Sequence, residues 1–384
     1  MTAEGTLQIG TRWFPEFPGG PERYYYDLVR HLPAAGFDVA GLVVGASPGD
    51  CGPHVRIEAY ALPSDSILHR MRAVRRAGKL ALRANAVALI ACHYPLYGLP
   101  LADFMRDIPS VIHFHGPWAA EAKVERNSVA ARATKRLIEM LLYTGCADGF
   151  IVLSRAFGKV LQETYGISAK RIFVIPGGVD IRRFTTGIDR PAARTALGLP
   201  QGRPIVVTVR RLVYRMGLEN LIDAVKAVAR RIPDVLLVIA GSGPLRRHLE
   251  NSIVALDLAN NVHLLGDVRD DCLPLLYRAA DASILPSATL EGFGLPAAES
   301  LACGTPAFVT PVGGLPEVVG DLSPDLILRG NDAPAIADGL RNFMTGRLTA
   351  PDTSTCSRYA QQRFDWRVIA DRIAQAYTQI LSMT

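Results

Sequence analysis

The chain has 384 residues, 49% of them hydrophobic and 20% charged, which is more than one ordinary core holds, so two globular domains are expected. No run of about 18 uncharged apolar residues occurs, and the opening MTAEGTLQIGTRW lacks a basic stretch followed by an apolar one; neither a membrane span nor an export signal is indicated, and a cytoplasmic location is the expectation. The six cysteines lie far apart without a CxxC pair, which argues against a disulfide framework or a zinc site, while the net charge of +6 suits an anionic partner.

In chain order, short aliphatic or β-branched runs alternate with helical patterns. LQIG opens the series, and GGPERYYYDLVRHLPAAG follows as a helix: Pro21 suits the first turn, Tyr25, Leu28, Val29 and Leu32 form one apolar stripe, and Gly36 supplies a left-handed stop. After DVAGLVVG comes a stretch with no acid between Asp65 and Asp103, where Arg72, Arg76, Lys79 and Arg83 recur at helical spacing and Ile67, Met71, Val74 and Leu82 take another face. This basic amphipathic helix, residues 65–85, is either a solvated face or a contact for an anionic membrane surface; without interleaved aromatics it does not read as a nucleic-acid site. VALIACH, SVIHFH, DGFIVLS and RIFVIP complete the first set of strands.

The segment 177–204, rich in Gly, Pro and Arg, reads as the linker, with the boundary near residue 186. A second set follows: PIVVTV, VLLVIAG, NVHLLG, ASILPS, TPAFVT and DLILRG. Runs apolar along their length fit parallel strands covered on both faces, and alternation with helices means α/β architecture. FDWRVIADRIAQAYTQILS, with Ile369, Ile373, Tyr377 and Ile380 at helical spacing, closes the chain. The expectation is therefore two doubly wound domains facing across a cleft, 1–185 completed by a helix at 365–384, and 186–364, with ligands at the carboxyl ends of the strands.

Chemistry concentrates in LEGFGLPAAES, where Glu291 and Glu299 flank a Gly-Phe-Gly-Leu-Pro turn. Pro296 suits a first helical turn, so amides near Gly292, Phe293 and Gly294 are expected to lie unpaired and to suit a phosphate. Glu299, one turn into the helix, is placed to accept from a ribose diol and Glu291 from a sugar ring. Arg211, after PIVVT, is placed to neutralise a diphosphate, and Gly19 and Gly20 form another turn after a strand.

FPGGPER, VIPGGVD, RRLVYRMG, AGSGP, EGFGLPAAE and GTPAFVTPVGGLPEVV, in that order over nearly the whole chain, resemble the retaining GT-B glycosyltransferases of family GT4. The resemblance implies two Rossmann-like domains, a UDP- or GDP-linked sugar held mainly by the second, a glycan or lipid-linked acceptor held mainly by the first, no metal or cofactor, and transfer of a hexose with retention in polysaccharide, lipopolysaccharide or glycolipid synthesis. By match, Glu299 corresponds to the ribose ligand, Glu291 to the acid on the transferred sugar, and Arg211 to the diphosphate arginine. Gly243, Phe293, Gly294 and Leu295 fall in donor-binding turns, and Gly19 and Gly20 in the loop near the β-phosphate. His115 matches a histidine that hydrogen-bonds the sugar; His113 is expected to point to the other side of its strand, and a metal pair is not expected. Met216 replaces the usual lysine and Arg210 the usual glycine, leaving Arg215 or Arg210 to supply the second cation. A non-catalytic nucleotide-sugar-binding subunit and a GT-B epimerase are the alternatives, separated from a transferase by donor turnover with and without acceptor.

Overall fold

The structure, a computed structural model, describes residues 4–17, 19–45, 51–84, 86–125, 127–185 and 187–383. Contacts divide the chain into two compact units: Met1–Lys123, Asn127–Gly178 and Trp366–Thr384 form the first, and the second is built around Val179–Asp365. The division thus falls at Gly178 and Val179 rather than near 186; Thr186 itself lies outside the described residues. Val179 bridges in parallel to Asp365, which explains the earlier break.

The first unit is a seven-stranded parallel sheet of order β3-β2-β1-β4-β5-β6-β7, with β1 Glu4–Arg12, β2 Phe37–Val44, β3 Val55–Ala61, β4 Val87–Cys92, β5 Ser110–Phe114, β6 Gly149–Val152 and β7 Ile172–Val174. Alternate residues feed opposite cores: Ile90 and Ile112 join Leu7, Ile9, Val74 and Leu142, whereas Leu89 and Val111 join Val39, Ile151, Ile369, Ile373, Tyr377 and Ile380. Both faces are therefore apolar, as a parallel sheet under two helical layers requires. The helix Trp366–Met383 supplies the last of these side chains, and the ring of Trp366 lies so close to Gly178 that a Cβ there would meet it at 2.4 Å.

The second unit is a five-stranded parallel sheet, β10-β9-β8-β11-β12, formed by β8 Ile205–Val209, β9 Leu236–Ala240, β10 Val262–Gly266, β11 Ala282–Leu285 and β12 Ala307–Val309. In each sheet the order reverses beside the first strand, so loops after β1 and β4, and after β8 and β11, leave the two switch points, where doubly wound sheets take ligands.

Two expectations fail for physical reasons. VRIEAYA, not anticipated as a strand, is the edge strand β3: Val55 and Ile57 are buried while Arg56 and Glu58 face solvent, so no continuous apolar run marks it. DLILRG is not a strand. Pro324–Leu326 form a 3₁₀ turn, and only Ile327 makes an isolated bridge, to Val309.

Candidate functional site

In the second unit, the loop after β8 is threaded between two others at backbone contact. On one side the Arg210 N–H donates to the Ala240 carbonyl (2.9 Å) and the Leu212 N–H to that of Ser242 (2.8 Å); on the other, the Ala288 N–H donates to the Arg215 carbonyl (2.9 Å). Such closeness excludes side chains. A Cβ at Gly241 or Gly243 would stand 2.0 or 2.5 Å from the Arg210 or Leu212 carbonyl oxygen, and one at Gly217 would stand 2.0 Å from that of Pro286. Gly243, expected as a donor ligand, therefore has a packing role of its own.

This threading buries Arg210 and turns its guanidinium onto the Ser287 hydroxyl and the Glu291 carboxylate, to both of which it donates; Ser287 also donates to Glu291 at 3.0 Å. Burial favours a protonated Glu291, but the charges of Arg210 and Arg215 and the two hydrogen bonds outweigh it and hold the carboxyl below its usual range. The preceding Leu290 has φ +52°, a left-handed conformation costly for a branched side chain, and its carbonyl accepts from Arg215 Nη1 at 3.2 Å. The Gly314 N–H donates to the Glu291 carbonyl at 2.9 Å, with Gly313 (φ +56°) packed against the same group.

Beyond Glu291 the chain makes its turn into the helix Leu295–Ala302, entered through Gly294 at φ +92°. The N–H groups of Gly292, Phe293, Gly294 and Leu295 find no acceptor among the described residues, although the first three of these residues are buried. The Phe293 ring packs edge-on against Phe364 and fixes the turn. Glu299, fifth in the helix and buried, accepts from the Tyr277 hydroxyl at 2.9 Å. Arg211 is exposed and its guanidinium makes no hydrogen bond to the described residues.

In the first unit, Gly19 caps the helix Gly20–His31 in an extended conformation; Pro18 lies outside the described residues. A Cβ at Gly19 would lie 2.2 Å from a Glu22 carboxylate oxygen, whereas Gly20 is open. His115 follows β5, half-buried, and burial pushes its imidazole down to about 4. His113 does not point away from it: both rings stand beside Tyr24, at 5.7 and 5.0 Å, and beside His93. Residues two apart on a strand share a face, so the expectation was geometrically mistaken. Among the described residues no group of three or more His, Cys, Asp or Glu could hold a metal ion.

Comparison with known proteins decides the family. Residues 189–363 match the family described as Glycosyl transferases group 1, and residues 18–183 match Glycosyltransferase Family 4. A D-inositol 3-phosphate glycosyltransferase from Corynebacterium urealyticum is 31% identical over 314 residues, 77% of this chain and 72% of that protein. The chain belongs to glycosyltransferase family 4.

Other relatives of this glycosyltransferase include a second D-inositol 3-phosphate glycosyltransferase, from Saccharomonospora viridis, 29% identical over 92% of this chain and 80% of its own length. A GDP-mannose-dependent phosphatidylinositol monomannoside mannosyltransferase of Mycolicibacterium smegmatis is 31% identical over 60% of this chain and 62% of its own. Among solved structures, the sucrose-phosphate synthase of Thermosynechococcus elongatus superposes with a TM-score of 0.79 at 24% identity, covering 99% of this chain and 100% of that one. HepE from Anabaena, in complex with UDP-glucose, gives 0.77 at 23% identity, covering 99% and 100%. These likenesses establish the GT-B fold.

In the glycosyltransferase the two family departures separate. Arg210, at the usual glycine, is committed to Glu291 and is unavailable as a free second cation; Arg215, half-buried beside Leu290, and exposed Arg211 remain. Met216 is buried in the 3₁₀ turn Tyr214–Met216. Nothing in the sequence distinguishes Arg210 from Arg211 by type; the pleat at the end of β8 decides.

The basic helix of the glycosyltransferase spans Ile67–Ala84, with Asn85 outside the described residues. Two of its cations are used locally: Arg70 donates to the Tyr97 hydroxyl at 3.0 Å, and Arg75 pairs with Asp103 and covers the Phe104 ring. Val74, Ala77, Gly78 and Ala81 form the buried face. Ile67, expected there, is exposed with Leu68 and Leu80, on a surface that also carries Arg72, Arg76, Lys79 and Arg83. No helix among the described residues is long and apolar enough to cross a membrane.

Proposed function

We propose that the protein is a retaining, metal-independent hexosyltransferase that moves a sugar from a UDP- or GDP-linked donor to a hydroxyl of a glycan or lipid-linked acceptor in polysaccharide, lipopolysaccharide or glycolipid biosynthesis. The observation that carries this reading is the turn at 292–295, where successive backbone N–H groups have no acceptor among the described residues at the entrance of a helix, between two buried glutamates. Buried amides are rarely left unpaired, and a helix entrance of this kind suits phosphate. Glu299 then takes the ribose, Glu291 a hydroxyl of the transferred sugar, and Arg211 with Arg215 the departing diphosphate. His115 and the Gly19–Gly20 turn complete the donor and acceptor contacts. Rate comes from stabilising negative charge on the leaving group, with the departing oxygen taking the proton of the acceptor hydroxyl on the same face. Relatives named for GDP-mannose and inositol phosphate substrates support this class of donor and acceptor. The exposed cations and aliphatics of Ile67–Ala84 support a peripheral site on an anionic membrane.

The test is calorimetric titration with UDP, GDP, ADP and TDP without metal, in parallel with Glu299→Ala. One nucleotide is expected to bind and the variant to weaken it by at least about tenfold, the loss of a charged hydrogen-bond acceptor. Binding of none would overturn the reading. Donor consumption that requires acceptor, with the product anomer read by NMR, tests transfer and retention.

A further inference from the structure

Beneath the strand ends of the first unit lies a buried polar network that the sequence did not disclose. It joins Thr6 and Gln8 of β1, Tyr24, His93 just after β4, His113, His115 and Tyr377 of the helix Trp366–Met383. The hydrogen bonds of the branch through His93 can be directed one by one. The Thr6 hydroxyl gives its only hydrogen to the Asp38 carbonyl at 2.9 Å, so it accepts from Gln8 Nε2 at 3.1 Å. That orients the amide, and Gln8 Oε1 faces His93 Nε2 at 3.1 Å. A carbonyl oxygen accepts only, so His93 carries its proton on Nε2. Burial, reinforced by His113 and His115, holds His93 neutral, and its Nδ1 is left a bare acceptor, 3.4 Å from His115 Nε2. His115 therefore donates from Nε2. On the other branch, Tyr377 accepts from Gln8 Nε2 at 3.4 Å and its hydroxyl meets His113 Nε2 at 2.7 Å, while His113 Nδ1 meets the Tyr24 hydroxyl at 3.1 Å, a pair of contacts that either neutral tautomer of His113 satisfies.

We infer that Gln8 and His93 are positioning residues that lock His115 in its neutral Nε2–H tautomer and leave Nδ1 solely an acceptor, so that this nitrogen selects a hydroxyl donor such as a sugar OH and rejects phosphate or carboxylate oxygen. Among the described residues Nδ1 has no hydrogen-bond partner, and the ring is half-buried. The ligand half of this statement rests on the assignment of His115 as a sugar contact; the tautomer does not.

The experiment uses the full chain labelled with 15N-histidine and two-bond 1H–15N correlation at pH 7, with signals assigned by single His→Asn variants. His93 and His115 are expected as Nε2–H. His115 found as Nδ1–H or as imidazolium overturns the inference, whatever the donor titrations show. Gln8→Leu removes the acceptor and is expected to give mixed tautomers at His115 and to weaken donor binding about tenfold. Wild-type tautomers as expected without any nucleotide-sugar binding would defeat the transferase reading and leave the relay standing. Unchanged donor affinity in folded Gln8→Leu would overturn the selecting role of Nδ1.

Discussion

Adjacent arginines of identical chemistry should behave in opposite ways when removed. Arg210 has a side chain 3% exposed against Glu291 at 12%, so Arg210→Ala leaves a buried carboxylate without its main partner. Breaking such a pair costs about 3–5 kcal/mol, and in a unit of this size about 2–4 °C of melting temperature per kcal/mol, giving a fall of about 6–20 °C. The deficit has a pH signature. In the wild type the Glu291 pKa lies below its unfolded value, so its contribution is present above about 4.5 and is lost as pH falls through the lowered folded value. In the variant burial raises the folded pKa above 4.5, protonation relieves the stranded charge, and the gap to wild type narrows as pH is lowered from 8 to 5. Arg211→Ala, at an exposed site, should melt within about 0.5 kcal/mol of wild type yet lose about 10²–10³ in kcat. Urea denaturation at pH 8 and 5, with turnover on the identified donor, measures all of this. Equal stability of the two variants, or a deficit at Arg210 indifferent to pH, would refute the pairing; unchanged kcat in Arg211→Ala would remove it from the leaving group. The double variant Arg210→Met with Glu291→Leu should recover much of the stability while remaining inactive.

Gly217→Ala, at φ +68° with a Cβ 2.0 Å from the Pro286 carbonyl oxygen, should cost at least about 1–3 kcal/mol and weaken nucleotide binding, read by melting and calorimetry. His93, His113 and His115 have lowered pKa values, so the unfolded chain takes up protons that the folded one refuses, and stability falls as pH drops from about 6.5 towards 4. At about 1.4 kcal/mol per pH unit for each imidazole, unfolding free energy at pH 5 should be up to about 6 kcal/mol lower than at pH 6.5; a flat profile in urea would contradict the buried network. Flotation with anionic liposomes should retain the protein at low salt and release it at high salt, and Arg72→Glu with Arg76→Glu should abolish retention; failure of wild type to float refutes the membrane face.

Much of both units was legible because the rules are local. The turn at 291–299, the first-turn proline and Gly36 each announce a backbone conformation. The strands buried on both faces announced themselves as apolar runs, and β3 did not, because an edge strand spends alternate positions on charge. Which arginine enters the core was illegible: Arg210 and Arg211 differ only in the side of the chain they take. His93 escaped notice because it stands alone in sequence and acquires its meaning only when β4 is laid beside β5. A clue was present in Gln8, a buried amide inside LQIG, since a polar side chain in such a strand must be answered by partners.

The helix Trp366–Met383 belongs to the same compact unit as β1, and Tyr377 meets Gln8 across 369 positions of chain. On the ribosome this sets an order of assembly. At about 5–20 residues per second, roughly 10–40 s separate synthesis of Gly178 from that of Trp366. For that interval the part of the first sheet that receives Ile369, Ile373 and Ile380 stays uncovered and Gln8 and His113 lack Tyr377, while the second unit is being made and has its whole sequence at Asp365, before the closing helix exists. The later-made unit is thus the first able to finish, and the nascent first sheet is the surface on which a holding chaperone would act.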